Sequence, residues 1–183
     1  MLWQPAQLQP WLAAVQADSL AAAPAEGMYG YVANPFTEAA LEAILTAKQR
    51  PAAKGFILLV QSPLQLDLVC PRLPPECVEA IRTHWRFDQP PTTLILPALP
   101  SLSPLLTGGS GTIAVRQPQA HYMQEYLDAA GTPLVSTSLN LTGEPPATDA
   151  TQVPAGIAAL TLPAPLTGTP SRIYNPLEDT WLR

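Results

Sequence analysis

The sequence predicts an α/β fold, one domain in which helices surround a mixed β-sheet. Three observations point there. The chain has 183 residues, enough for one domain with a sizeable core. Segments of helical period alternate with apolar runs of strand length, without internal repeats. Its 23 prolines cut it into short elements, which rules out a long helical bundle.

The elements follow in chain order. "PAQLQPWLAAVQ" (5–16) sets Leu8, Leu12 and Val15 at helical spacing. "SLAAA" (19–23) reads as a short strand with little β propensity. "PAEGMYGYVANP" (24–35), with two glycines, reads as a loop. "TEAALEAILTAK" (37–48) is amphipathic, with Thr37 as N-cap, Glu38 and Glu42 in the early turns and Leu41, Ile44 and Leu45 on one face. The "RP" that follows ends it. "GFILLV" (55–60) has the length and flanks of a central strand, and "PPECVEAIRTHW" (74–85) reads as a helix. Strands are expected at 92–97 and 111–116, a helix closed by Gly131 at 120–131, and a strand at 133–138 running into the polar loop "LNLTGEPPATDA". Strands are expected again at 156–162 and 171–175, and the tract 97–111, "PALPSLSPLLTGGSG", as a loop free to move.

Composition excludes several functions. Only 13% of residues are charged, about half the usual share, and 9 basic residues face 14 acidic ones for a net charge of −5. A protein that grips nucleic-acid backbone in bulk carries a basic stripe, which is missing here; one focused basic pocket is compatible. Cys70, Cys77, His84 and His121 lack zinc-ligand spacing. The cysteines read as buried apolar side chains ahead of a disulfide. No run of eighteen apolar residues is present, so no membrane span is expected, and the N-terminus lacks the features of a signal peptide. A cytoplasmic location is the default expectation.

Five places could carry chemistry. The chain's only two lysines, Lys48 and Lys54, flank Arg50 directly before an apolar strand. A helix C-terminus attracts cations, which would account for Lys48 and Arg50 but not Lys54. Cations converging at a strand end suit a phosphate or carboxylate. "STSLN" (136–140) sets three hydroxyls and an amide directly after a strand, as a ligand crevice or as an ordinary polar turn. Arg116 ends "TIAVR", either as another site cation or as a snorkelling surface residue. Ser171 opens the last expected strand, and Glu26 sits in the first loop, where a solvated carboxylate is the simpler reading. Phosphate-loop and dinucleotide-fingerprint glycine patterns are absent, as is a nucleophile elbow, so a covalent hydrolase is not indicated.

Taken in order, "PAEGMYG", "KQRPAAKGFILLV", "PPTTLILP", "TIAVR", "PLVSTSLNLTGEPP" and "GTPSRIYN" resemble the TsaC/YrdC/Sua5 family of threonylcarbamoyl-AMP synthases, in the short bacterial TsaC-like form. The resemblance runs from about residue 20 to residue 175. It implies a single YrdC-like domain over residues 1–183, with a twisted mixed sheet and a concave, positively charged cavity. It implies a nucleotidyltransferase that makes threonylcarbamoyl-adenylate and pyrophosphate from L-threonine, bicarbonate and ATP with Mg²⁺, for the t6A modification of tRNA. It implies no covalent nucleophile, and an Mg²⁺ on the phosphates that needs few protein ligands. tRNA and the proteins of the t6A pathway are the further partners it suggests. By position, Lys48, Arg50, Lys54, Thr93, Ser138, Asn140 and Ser171 match the ATP site, and Ala25, Leu59, Arg116 and Ser136 the threonine site. The chain departs from the family pattern at Ala25, where threonine is usual, and at Tyr31, Pro90, Leu139 and Arg172. The second reading is a YciO-like paralogue that binds nucleotide or RNA without making the adenylate; the third is an interaction subunit with a vestigial site.

Overall fold

The computed structural model describes residues 2–183. The chain runs through α1 (Pro5–Gln16), β1 (Ala21–Pro24), β2 (Tyr29–Ala33), α2 (Glu38–Lys48), β3 (Ile57–Leu59), α3 (Pro75–His84) and β4 (Thr92–Pro97). It continues through the single turn α4 (Pro104–Thr107), β5 (Thr112–Arg116), α5 (His121–Ala130), β6 (Leu134–Ser138), β7 (Ala158–Ala159), β8 (Arg172–Asn175) and β9 (Thr180–Trp181). All nine strands form one mixed sheet in the order β7-β1-β2-β6-β3-β5-β4-β8-β9. The pairs β1–β7, β3–β5 and β4–β8 are parallel and the other neighbours antiparallel.

The alternation of strand side chains divides the core in two. Ala22, Tyr31, Ala33, Leu58, Leu94 and Val115 belong to a cluster that also takes in Leu41 and Ile44 of α2 and Ala80 of α3. Their neighbours Ala21, Ala23, Val32, Leu59 and Leu134 form a second cluster with Trp11 of α1 and Met123 and Tyr126 of α5. Each helix is therefore held by one apolar stripe. In α1 that stripe is Leu8, Trp11 and Val15; Leu12 is only half-buried, because the larger Trp11 turns inward and donates its indole N–H to the Ala22 carbonyl (3.0 Å).

Several expectations are corrected. Residues 29–33 are a strand, not part of a loop, because both β1 and β6 offer them a ladder. The glycine that suggested a loop, Gly30, is required by that pairing: a Cβ there would meet the Thr137 carbonyl oxygen at 2.8 Å. Thr37 occupies the N-cap of α2 but does not cap it; its hydroxyl donates to Asp18 Oδ1 at 2.7 Å. The strand expected over 156–162 shrinks to two paired residues at the sheet edge, and the two-residue β9 was not expected at all. The tract 97–111 contains α4 and is tied down: Leu106 is buried and its carbonyl accepts from Phe56 N (3.0 Å), while Leu99 N donates to the Val69 carbonyl (2.8 Å). Cys70 and Cys77 are free and buried, as the simpler reading had it.

Candidate functional site

One face of the sheet is covered along β4, β5, β3 and β6 by the first cluster and the helices that belong to it. On the opposite face α1 and α5 cover the β7-β1-β2 side and reach Leu134 of β6 and Leu59 of β3. The uncovered remainder is the floor of a cavity of about 390 Å³. A row of facing residues crosses it: Ser136 pairs with Ile57, Ile57 with Ala114, and Ala114 with Ile95, and all four line the cavity. The walls come from the first loop (Ala25, Met28), the stretch after α2 (Arg50, Lys54), the end of β6, and the segment before β8 (Thr169–Ser171). The lining carries four cationic side chains, Arg50, Lys54, Arg116 and Arg183, and no acidic one.

The cations are not equivalent. Arg50 is fastened to its own wall: Nη2 donates to the carbonyls of Gly55 (2.8 Å) and Lys54 (3.2 Å), Nη1 to the Thr137 hydroxyl (3.3 Å), and the guanidinium lies over the Phe56 ring. Burial lowers its pKa from the ordinary value. Lys48 is buried, and its ammonium donates to the carbonyls of Ser138 and Asn140. Burial, then the nearby Arg50 charge, lowers its pKa, while Glu144 opposes them. Neither side chain bonds the last carbonyls of α2, so the helix C-terminus does not explain them. Lys48 braces the loop after β6 from behind and borders a smaller neighbouring recess of about 260 Å³, shared with Arg50, Lys54 and Asn140. Lys54 is exposed and, among the described residues, its ammonium has no hydrogen-bond or ion-pair partner.

Of the remaining expected residues, Ala25, Arg116, Ser136, Ser138 and Ser171 line the main cavity. Asn140 serves its own loop, donating to the carbonyls of Glu144 (2.8 Å) and Leu141 (3.1 Å). Two expectations need correction as direct contacts. Leu59 is fully buried in the cluster beneath α5, two residues along β3 from the lining residue Ile57. Thr93 is fully buried as well; its hydroxyl pairs with that of Ser171 (3.0 Å), because β8 lies alongside β4, so it can reach a ligand only through Ser171.

Arg183 was missed, and Glu26 departs from its simpler reading. Arg183 lines the cavity and is anchored through Nε to the Ser171 carbonyl (2.9 Å). Burial and then the neighbouring Arg116 charge lower its pKa. Glu26, read as a solvated carboxylate, is almost wholly buried and pairs with Arg116 at 3.3 Å. Arg116 is accordingly no snorkelling surface residue. Sequence pattern offers no signal for Arg183. For Glu26 the only signal was a carboxylate beside two glycine-bearing turns.

A family model named for Sua5, YciO and YrdC, and described as telomere recombination, matches residues 13–180. The chain belongs to the Sua5/YciO/YrdC family. It is 36% identical over 170 residues to a threonylcarbamoyl-AMP synthase of Idiomarina loihiensis, covering 87% of this chain and 88% of that one. It is 34% identical over 184 residues to one of Photobacterium profundum, covering 96% and 97%. Among solved structures, P. abyssi Sua5 complexed with L-threonine superposes with a TM-score of 0.83 at 26% identity, over 96% of this chain and 52% of that one. The chain thus spans about half the length of that Sua5. E. coli YciO shares the fold (TM-score 0.78, 20% identity, 94% of this chain and 84% of that one). Family membership accounts for the mixed twisted sheet. It also makes the departures local: Tyr31 and Leu139 are both buried in the first core cluster, where larger side chains fill space away from the cavity lining.

Proposed function

We propose that this chain is a threonylcarbamoyl-AMP synthase. The observation that carries the reading is the cavity itself, in which four cations and the hydroxyls of Ser136, Ser138 and Ser171 converge on an open sheet face without an acidic side chain. Relatives of that name, alike over nearly the whole chain, support it. The threonine amine and bicarbonate condense to a carbamate with loss of water. The carbamate carboxylate attacks the α-phosphorus of ATP, and pyrophosphate leaves. No protein nucleophile enters this sequence, so the chain contributes positioning and charge stabilisation. Arg50, Lys54, Ser138 and Ser171 would hold the polyphosphate; Arg116 and Ser136 would hold threonine. Lys48, Asn140 and Thr93 support these walls from behind. The lining has no carboxylate for a metal ion, so the Mg²⁺ of the nucleotide would take its oxygens from phosphate and water, as that ion commonly does. The product would serve t6A formation in tRNA.

Pyrophosphate release tests the reading: it should require ATP, L-threonine and bicarbonate together. Release without threonine, or ATP binding without any release, would overturn it in favour of a nucleotide-binding paralogue.

A further inference from the structure

The cavity cations differ in how many of their donors are already used. Arg50 spends its guanidinium on three acceptors, Arg183 on Ser171, and Lys48 on two carbonyls. Arg116 is 5% exposed; its carbonyl accepts from Val60 N (3.0 Å), but among the described residues its guanidinium makes no hydrogen bond. Its Nε is buried without a partner. What holds it is charge: Glu26 Oε2 stands 3.3 Å from Nη1, outside hydrogen-bond geometry. Glu26 is itself fixed. Its Oε1 accepts from Gln119 N (2.9 Å) and Ala120 N (3.3 Å) at the start of α5. Its backbone carbonyl accepts from the Tyr122 hydroxyl (3.4 Å), and its φ of 65° lies in the left-handed region. A side chain held by so many groups, in a backbone conformation unusual for glutamate, is there for what it does to its neighbour.

We propose that Glu26 is a positioning residue for the amino-acid substrate. It holds Arg116 by charge alone, at the floor of the cavity, so that the guanidinium keeps its N–H donors free for the substrate carboxylate. A partner that accepted hydrogen bonds from Arg116 would consume those donors; a carboxylate offset from them neutralises the buried charge and leaves the fork open. Glu26 also ties the first loop to the turn between β5 and α5, so the two walls around Arg116 move as one. This inference rests on the synthase reading.

The test is Glu26→Gln, which keeps an oxygen for the Gln119 and Ala120 N–H groups but removes the charge. The expected result is a threonine KM raised about tenfold or more, with the ATP KM and the kcat at saturating threonine within about twofold of wild type. Arg116→Gln should raise the threonine KM further, and the double variant should match Arg116→Gln alone, because Glu26 acts only through Arg116. The double variant also removes both buried charges, so it addresses any loss of folding caused by an unpaired Arg116, with melting temperature as the check. An unchanged threonine KM in Glu26→Gln, or losses that multiply in the double variant, would overturn the role of Glu26 and leave the synthase reading intact. A wild-type chain that neither binds nor uses threonine would overturn both.

Discussion

At the scale of single residues, the site separates groups that would meet a ligand from groups that hold them. Lys54 is exposed and its ammonium has no partner among the described residues, so its replacement should act on the ligand and not on the fold. Lys54→Ala should lower kcat/KM for ATP about 10- to 100-fold, the loss of one charge-assisted contact, with a stability change within about 0.5 kcal/mol. Steady-state kinetics with ATP varied, beside a thermal melt, would check both halves. Ala25, where the family pattern has threonine, lines the cavity with a small apolar face. Ala25→Thr should leave kcat/KM for threonine equal or higher; a large fall would mean that the first loop is shaped for another ligand. The cations themselves were legible in the sequence, because charge is scarce and clustered there. Their division of labour was not. Lys48 and Lys54 look alike in sequence, yet one is buried under two carbonyls and the other reaches into the cavity.

At the scale of elements, close approach of backbone segments shapes the walls. The first loop and the segment before β8 touch at Gly27: its carbonyl accepts from Gly168 N (2.7 Å), and a Cβ added there would meet the Thr169 oxygen at 1.8 Å. Gly27→Ala must therefore part the two segments, at a cost of about 1–3 kcal/mol by the usual measure of overpacking. Threonine and ATP binding should weaken together, because Ala25 and Ser171 stand on opposite sides of that contact. Calorimetric titration with each ligand would show whether the two losses coincide. Most elements were readable from period and punctuation; α1, α2, α3, β4 and α5 fall within a residue or two of expectation. The failures share a cause. The segment 29–33 owes its strand character to β6, and the strand expected over 156–162 is held to the two residues that meet β1; both partners are distant in sequence, which local pattern does not contain.

At the scale of the molecule, one face of the sheet and part of the other are packed, and the packing controls how buried groups ionise. Burial pushes the Cys70 thiol up to about 12 and the Cys77 thiol to about 11, and, with the Glu26 charge adding to burial, the Tyr122 phenol to about 12. These are acids whose folded pKa exceeds the unfolded one, so their contribution to stability is complete below the unfolded value. It is lost as pH climbs from about 9 towards about 12. Melting temperature should therefore hold steady near about pH 8 and fall above about pH 10, and both thiols should resist alkylation until the chain unfolds. Among the described residues no helix is long and apolar enough to cross a membrane. By itself, the sequence determined the α/β class, the rhythm of its elements and the clustering of Lys48, Arg50 and Lys54, because hydrophobic period and charge scarcity are local properties of a chain. Only the tertiary structure decided that one half of a sheet face stays open, that Leu59 and Thr93 lie behind its surface, and that Glu26 and Arg183 belong to the site. Those facts depend on which segments, far apart in sequence, come to share a face.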